Sequence, residues 1–171
     1  IGVERAKTKN LDHLNKKDYT SEKSFMAFQL LQHYPQIFRQ GTFVNGMWED
    51  TKESIAEQPK YARKIGVDYP SFHCITPQPG TKLWDDAIEK NIIEVYDFSK
   101  YTWFTPIMPT KYMTTEEVAS SNQLANVRFV LKPDWFLKGL LSKHRIKRYL
   151  YWWFVKQIIV STFLAIKEKI N

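Results

Sequence analysis

The sequence predicts an α/β fold with parallel strands, and two patterns support that prediction. Through the first ninety residues, short β-rich runs alternate with segments of helical periodicity, in the order strand, helix, strand, helix, strand, helix. Each connection is long enough to hold a helix, which is typical of parallel strands joined by right-handed crossovers. Such βα units occur in an open sheet or in part of a barrel.

The first strand and the first helix lie near the start of the chain. Ile1-Gly2-Val3-Glu4 is an apolar strand with no initiator Met and no secretory signal before it, so we expect the chain to be the C-terminal piece of a longer polypeptide. After a short turn or helix with Leu11 and Leu14, Thr20 is placed to cap a helix that Pro35 ends. Apolar residues at helical spacing predict its buried face: Phe25, Phe28, Leu30 and Leu31.

The second strand and helix lie between residues 41 and 66. Residues 41–46 are β-rich and bounded by glycines, and Asp50-Thr51-Lys52-Glu53 has the spacing of a helix capping box. The helix is expected to end at Gly66, the residue type that best adopts a left-handed cap, and Pro59 should kink or interrupt it. Its predicted buried side is formed by Ile55, Ala62 and Ile65.

The third strand, residues 67–75, leads directly into Thr76-Pro77-Gln78-Pro79-Gly80-Thr81 and a short helix over 82–90. The prolines stiffen this turn, and Gly80 frees the backbone to approach a ligand closely. Ligands of parallel α/β folds lie at the carboxyl ends of the strands, so the turn has the position expected of a binding site. A rigid strand-to-helix connector is the alternative.

Residues 92–113 are irregular and aromatic, and loops of this length are usually functional or covering elements. The rings either line a pocket for a large planar substrate or pack over an open edge of the sheet. Thr114-Thr115-Glu116-Glu117 is a second capping box, and the helix it opens runs toward Leu131. The aromatic residues are Tyr96, Phe98, Tyr101, Trp103, Phe104 and Tyr112.

Three motifs taken together resemble the second half of a radical S-adenosylmethionine (SAM) enzyme. They are Ile1-Gly2-Val3-Glu4, Thr42-Phe43-Val44-Asn45-Gly46-Met47-Trp48-Glu49 with Thr51 after it, and Thr76-Pro77-Gln78-Pro79-Gly80-Thr81-Lys82-Leu83-Trp84. They are most similar to the class of that superfamily with a cobalamin-binding domain, which includes magnesium-protoporphyrin IX monomethyl ester cyclases. The resemblance covers about residues 1–130.

The resemblance implies the architecture of the chain. Residues 1–131 would be the C-terminal half of a partial (β/α)6 TIM-like barrel, in which three βα units supply the fourth, fifth and sixth strands. The resemblance does not cover residues 132–171, whose composition predicts a basic, aromatic helical tail with helical segments near 134–141 and 144–168. Three parallel strands leave an exposed edge, and we expect the missing N-terminal half or another chain to complete the sheet.

The resemblance also implies which residues bind the cofactor. The end of the first strand would face the ribose and amino acid of SAM, the second strand would pack near its adenine, and the turn after the third would shape the floor of the active site. The residues that match these motifs are Glu4, Val44, Gly46, Glu49, Thr76 and Pro77. Arg5 stands where the family usually has Ser.

The cofactors implied are SAM, a 4Fe-4S cluster and, as an open alternative, cobalamin. The family holds its cluster with three cysteines in a Cys-x3-Cys-x2-Cys loop, because thiolates suit an electron-rich cluster. This chain has one cysteine, Cys74, so we expect sequence outside it to hold cluster and cobalamin, and the chain to be inactive alone. The whole enzyme would be an oxidoreductase or methyltransferase that acts on an unactivated carbon of a small-molecule substrate, such as a tetrapyrrole or a lipid-like molecule.

Several polar residues are assigned no chemistry. His73 and Cys74 are neighbours on a strand and point to opposite faces, so they do not form a nucleophile and base pair. Cys74 is expected to be packed and unreactive. Asp85, Asp86 and Glu89 are expected to be solvated rather than bound to a metal, and no catalytic residue or metal site is assigned.

The net charge is concentrated at the end of the chain. Of the total of +7, residues 1–131 contribute none, with 16 basic and 16 acidic residues, while residues 132–171 hold nine basic and two acidic residues. Three interpretations of this tail stay open: a membrane-spanning helix, an interfacial helix, or a helix packed on the body or on a partner. We expect a cytoplasmic protein, with peripheral membrane contact through 143–169 as one alternative. Nucleic acid is not expected, because the tail's rings lie in a nearly continuous apolar run.

Two further classes of protein stay open. One is a non-catalytic module that its basic aromatic tail docks to a membrane surface or to another protein. The other is a complete small α/β protein with an unrelated ligand, which would be a stable monomer with a closed core.

Overall fold

The computed structural model describes residues 1–6 and 21–170, with side chains described as far as residue 160. In this part of the chain, three strands and six α-helices follow the predicted alternation. The strands are β1 (Gly2–Glu4), β2 (Gln40–Asn45) and β3 (Tyr69–Cys74), and the helices are α1 (Ser21–Gln32), α2 (Lys52–Lys64), α3 (Lys82–Glu89), α4 (Thr115–Val130), α5 (Pro133–Leu140) and α6 (Arg145–Ile170). The predicted turn with Leu11 and Leu14 and the predicted cap at Thr20 lie outside the described residues.

The strands form one parallel sheet in the order β1, β2, β3. β2 and β3 pair along their whole length, with Val44 opposite His73. β1 pairs with β2 through Gly2 opposite Thr42, and the register then shifts before Glu4. The predicted α/β fold with parallel strands is confirmed, and closure of this sheet into part of a barrel stays a prediction.

Helices cover one face of the sheet. The rings of Phe43 and Phe72 lie side by side on this face, with centroids 5.1 Å apart, and both are fully buried. They share one core with buried side chains from β1, α1, α2 and α4: Val3, Phe28, Ile55, Ala62, Val118, Ala125 and Phe129. Because each large apolar side chain contributes roughly 1.5–3 kcal/mol when fully buried, this cluster holds the helices on the sheet.

The opposite face of the sheet is mostly polar and only half-buried. Because side chains alternate along a strand, residues between the core positions point away from the helices. Tyr69, at the start of β3 on this same surface, is the exception, because it packs on Phe154 of α6. We call the rest of the surface the inner face, and it consists of Glu4, Thr42, Val44, Ser71 and His73. Parallel sheets are usually covered by apolar side chains on both faces, so a mostly polar and half-buried face is unusual.

The start of α2 differs from the sequence prediction by one residue. Its capping box consists of Thr51 and Ser54, not Asp50 and Glu53: each backbone N–H donates to the hydroxyl of the other residue. The reason is that the Asp50 carboxylate forms an ion pair with Arg5, which is distant in the sequence. The second capping box, at Thr114 and Glu117, is confirmed at the start of α4.

Two further predictions about the helices are corrected. Pro59 is buried inside α2 and does not interrupt it. The helix then ends as predicted, with Gly66 at φ +81°. In α1, Phe28 is fully buried, but Leu30 is 63 % exposed and does not belong to the buried face.

α5 and α6 pack at the beginning of β2 and β3, where Asp68 holds them. The Asp68 carboxylate accepts from Lys147 Nζ at 2.7 Å and from the Tyr151 hydroxyl at 3.2 Å, and its backbone carbonyl accepts from Trp135 Nε1 at 2.6 Å. Arg39 Nε donates to the same carboxylate at 3.1 Å. This part of the tail therefore packs on the body of the protein. Within the described residues, no helix combines the length and the apolar character needed to cross a membrane.

Candidate functional site

A cavity of about 370 Å³ opens at the carboxyl ends of β2 and β3. Two residues of the inner face, the turn after β3 and part of the aromatic segment form its walls. The lining includes Val44, His73, Thr76, Gln78, Tyr101 and Trp103. The cavity has the position in which parallel α/β folds bind their ligands, which the sequence predicted for the turn at Thr76.

Hydrogen bonds fasten the aromatic segment to the end of β3. The backbone N–H of Cys74 donates to the Trp103 carbonyl at 2.7 Å, and the Thr76 hydroxyl lies 3.3 Å from the Thr102 carbonyl. The ring of Trp103 stands edge-on to the His73 imidazole, with centroids 5.0 Å apart. Of the two interpretations of the aromatic rings, lining a pocket therefore applies to Tyr101 and Trp103.

The other rings of the segment do not form a buried core. Tyr96, Phe98, Phe104 and Tyr112 are all more than half exposed. Phe98 contacts the Tyr101 ring, with centroids 5.0 Å apart, and this pair lies beside α3 near Trp84. Phe98 beside Tyr101 and Phe104 beside His73 therefore form an exposed aromatic border on one side of the cavity.

His73 is a titratable side chain in the lining of the cavity. Its Nε2 lies 2.6 Å from Ser71 Oγ on the same strand, so one of these atoms donates to the other. Burial lowers the pKa of His73 below its usual value, and the nearby Glu4 carboxylate opposes that shift in part. The imidazole is therefore neutral at pH 7, and it offers one donor and one acceptor nitrogen.

Cys74 is packed and unreactive, as predicted. Its side chain is buried, and its thiol lies 3.5 Å from the Phe104 carbonyl, to which it donates. Burial raises the pKa of the thiol to about 12. A thiol that stays protonated at neutral pH is a poor nucleophile and a poor metal ligand.

A buried ion pair that the sequence did not reveal joins the ends of β1 and β2. Both terminal nitrogens of Arg5 donate to the Asp50 carboxylate, one of them at 2.8 Å, and the guanidinium also donates to the Val44 carbonyl at 2.8 Å. Both side chains are 1 % exposed. Because burying two charges is costly, such a pair persists only where hydrogen bonds compensate it. Here they engage both terminal nitrogens of Arg5, whereas its Nε has no hydrogen-bond partner among the described residues.

Asp50 also organises the loop after β2. Its carboxylate accepts from the backbone N–H groups of Gly46 and Met47, at 2.9 and 3.0 Å, and from the Ser54 hydroxyl at 2.7 Å. Gly46 has φ +83°, a conformation that glycine adopts without strain. The sequence signal for the Arg5–Asp50 pair was the position of its two members. Arg5 directly follows the first predicted strand, and Asp50 lies in the loop after the second.

The structure brings three of the predicted site residues to the region of the cavity. Val44 and Thr76 line it. Glu4 lies on the inner face, close enough to act on His73, and its φ of +60° is unusual for a residue other than glycine. Pro77, next to Thr76, is buried.

Gly46 and Glu49, which were also predicted, lie elsewhere. Gly46 is buried, and its N–H is already bonded to Asp50. Glu49 is half-exposed, and its Oε2 lies 3.9 Å from Lys111 Nζ. Glu49 does not line the cavity.

The acidic surface of α3 is arranged as a solvated helix face. Asp86 accepts from Lys82 Nζ at 3.1 Å, one turn away, and Asp85 and Glu89 are exposed. In the part of the chain that the structure describes, no group of three or more His, Cys, Asp or Glu side chains is placed to hold a metal ion.

Fold and site together define a class: an α/β protein with a parallel sheet, helices on one face, and a cavity at the carboxyl ends of the strands. No protein-family model matches the chain. An uncharacterized methyltransferase of Pyrococcus horikoshii is 30 % identical over 144 residues, which is 84 % of this chain and 31 % of that protein.

Two other similar proteins are named for tetrapyrrole-related reactions. The anaerobic magnesium-protoporphyrin IX monomethyl ester cyclase of Cereibacter sphaeroides is 32 % identical over 136 residues, 80 % of this chain and 22 % of that protein. The bacteriochlorophyllide d C-8(2)-methyltransferase of Chlorobaculum tepidum is 29 % identical over 100 residues, 58 % of this chain and 22 % of that protein. The chain spans less than a third of the length of these relatives. It is thus related to enzymes named as methyltransferases and as a cyclase, which supports the superfamily resemblance.

Proposed function

We propose that this chain is the C-terminal part of a radical SAM enzyme, a methyltransferase or an oxidative cyclase, and that the cavity is its share of the active site. The observation that carries the proposal is the position of the three motifs. Each lies at the carboxyl end of one of three adjacent parallel strands: Glu4 ends β1, Val44 lies near the end of β2, and Thr76 follows β3. The similarity to named methyltransferases and cyclases supports it.

The residues around the cavity fit the chemistry of SAM. Val44 and the Trp103 ring offer apolar and aromatic surface for an adenine base, and Thr76 and Gln78 offer a hydroxyl and an amide for its polar groups. The carboxylate of Glu4 suits ribose hydroxyls or the methionine ammonium group, because an ionised carboxylate accepts hydrogen bonds. When bound, SAM supplies an activated methyl group or, after one-electron reduction, a radical able to remove hydrogen from carbon.

The chain's own residues do not fit an iron-sulfur cluster. Cys74 is the only cysteine of the sequence, its pKa is raised to about 12, and its thiol donates to the Phe104 carbonyl. In the proposal, therefore, sequence outside this chain holds the cluster and any cobalamin, and this chain is inactive alone. Its role is to bind and orient SAM and substrate and to exclude water from the cavity.

The aromatic border of the cavity supports a planar or extended apolar substrate. Trp103 is 70 % exposed and Phe104 61 % exposed, although both lie against His73. Exposed rings next to a cavity gain stability by stacking on a conjugated ligand. A tetrapyrrole has this shape, and two of the relatives are named for reactions of tetrapyrroles.

The proposal also assigns a partner to the sheet. β1 is an outer strand of the three, and parallel sheets are stable when their edges are covered. We therefore expect the rest of the enzyme, or a second chain, to pair with the outer side of β1.

The test uses the full-length protein that contains this chain, purified without oxygen and reconstituted with iron and sulfide. Given SAM and a reductant, it should release 5′-deoxyadenosine or transfer the methyl group, measured by mass spectrometry. Val44→Glu should reduce SAM binding at least tenfold, whereas Glu49→Gln should not change it. Absence of both products would overturn the function, and an equal loss in Glu49→Gln would overturn the placement of SAM in this cavity.

A further inference from the structure

We propose that the exposed face of α6 docks on the surface of an anionic lipid membrane. We call it the aromatic-basic face, and its residues are Arg145, Arg148, Tyr149, Trp152, Trp153 and Lys156. This inference is independent of the reaction in the cavity, because α6 is attached at Asp68, at the end of the sheet opposite to the cavity.

The body of the protein fixes the orientation of α6. Lys147 and Tyr151 bind the buried Asp68, and Phe154 stacks on Tyr69 with ring centroids 3.8 Å apart. These buried residues recur at three- and four-residue spacing, so they lie on one side of the helix. The aromatic-basic face is the other side, and it is held outward by the same contacts.

The composition of this face is unusual for a solvated helix surface. Tyr149 is 66 % exposed, Trp152 56 % and Trp153 44 %. The outward side of a surface helix is normally polar, whereas Trp and Tyr prefer the boundary between water and lipid, where ring and polar tip are both accommodated. Ile146 and Ile159, which are also exposed, extend the apolar surface along the helix.

The positive charge of the same region favours binding to an anionic surface. Residues 132–160 contain seven basic residues and one acidic residue, Asp134, whose carboxylate lies 3.7 Å from Arg63. The charge of Lys147 is already paired with the buried Asp68 carboxylate. The basic residues of the aromatic-basic face thus add positive charge beside the rings, and each basic residue near an anionic membrane raises affinity about fivefold.

The helix that carries the aromatic-basic face is attached away from the strand ends that form the cavity. α6 is attached at Asp68, before β3, whereas the cavity lies at the other end of that strand. The six residues of β3 span about 17 Å. The attachment of α6 and the opening of the cavity therefore lie at different ends of β3.

The experiment measures binding of the full chain to sedimenting vesicles of phosphatidylcholine, with or without 30 % phosphatidylglycerol. We expect binding to the anionic vesicles only, with a blue shift of tryptophan fluorescence and weaker binding as salt is raised. Arg145→Gln with Arg148→Gln should lower affinity about 25-fold, the product of two fivefold effects. Trp152→Ser with Trp153→Ser should lower it at least tenfold.

Trp103→Ser is the matched control, because it removes an exposed Trp from the cavity end and should leave vesicle binding unchanged. Circular dichroism confirms that each variant is folded. Equal binding to neutral vesicles, no binding by the wild type, or an equal loss in Trp103→Ser would overturn the proposal. So would a dimer without vesicles that Trp152→Ser with Trp153→Ser abolishes, because the face would then contact a second copy of the chain.

Discussion

Arg5 and Asp50 form a buried ion pair that ties the end of β1 to the loop after β2, and one of its nitrogen to oxygen distances is 2.8 Å. The same carboxylate bonds Gly46 and Ser54, and the same guanidinium bonds the Val44 carbonyl. This pair of side chains therefore holds the end of β1 close to the end of β2. The proposed SAM site uses residues from both strand ends.

Removing one partner of this pair should be strongly destabilising. Asp50→Asn leaves the Arg5 charge buried without its counter-charge, and we expect a loss of about 3–5 kcal/mol in the free energy of unfolding. Arg5→Met with Asp50→Leu should lose less than Asp50→Asn, because no unpaired charge remains. Urea unfolding measures both, with the exposed Glu49→Gln as a control that should change stability by less than about 0.5 kcal/mol. A cost below about 1 kcal/mol for Asp50→Asn would contradict the pair's role.

Gly46 and Gly80 offer a matched pair for the geometry of the strand-end loops. Both have φ +83°, but a Cβ on Gly46 would lie 3.1 Å from Val118 Cγ1, whereas a Cβ on Gly80 would meet no atom within 4 Å. The left-handed conformation costs a residue with a Cβ about 1–2 kcal/mol. We expect Gly80→Ala to cost that amount and Gly46→Ala about 1–2 kcal/mol more, because the core must shift. Thermal unfolding of both variants tests this, and equal costs would contradict it.

Local signals were sufficient to predict most elements, because their causes lie within a few residues. The cap at Gly66, the capping box at Thr114 and the parallel order of strands all follow from short-range chemistry and from the length of the connections. The error at Asp50 has a different cause. Its partner Arg5 is 45 residues away. No local sequence pattern reveals that the Asp50 carboxylate binds this distant guanidinium and does not cap the helix that follows it.

The same limit applies to the site and the tail. Val44 and Thr76 were predictable, because alternation along a strand and the position of strand ends are periodic properties. The role of Tyr151 was not, since its hydroxyl bonds Asp68 from 83 residues away. His73 was given no role, although a Ser and a His two residues apart on one strand share a face, which was the available signal.

The Asp68 cluster should make stability depend on acid pH. Burial raises the pKa of Asp68, but hydrogen bonds from Arg39 and Lys147 lower it more, so the net pKa lies below its usual value of about 3.8. A carboxyl group whose folded pKa is depressed adds stability above its unfolded pKa and loses it as pH falls through the folded pKa. We therefore expect the stability difference between wild type and Asp68→Asn to be full at pH 6 and to shrink below about pH 4.

Tyr151→Phe is the control for that measurement. It removes one hydrogen bond to Asp68 and should cost about 1 kcal/mol, while the loss of stability in acid is retained. A difference between wild type and Asp68→Asn that stays constant from pH 6 to pH 2 would show that the carboxylate contributes no charge interaction.

The Glu4 carboxylate should influence the pKa of His73 across the inner face. Burial lowers the pKa of His73, and the Glu4 carboxylate raises it in part, so removing that charge with Glu4→Gln should lower the pKa of His73 further. Glu49→Gln, which removes a carboxylate that lies outside the cavity, should leave it unchanged. Proton NMR of the imidazole resonances measures both values. If the pKa of His73 were unchanged or raised in Glu4→Gln, the Glu4 carboxylate would not lie close to His73. The proposed contact of Glu4 with SAM beside the cavity would then be contradicted.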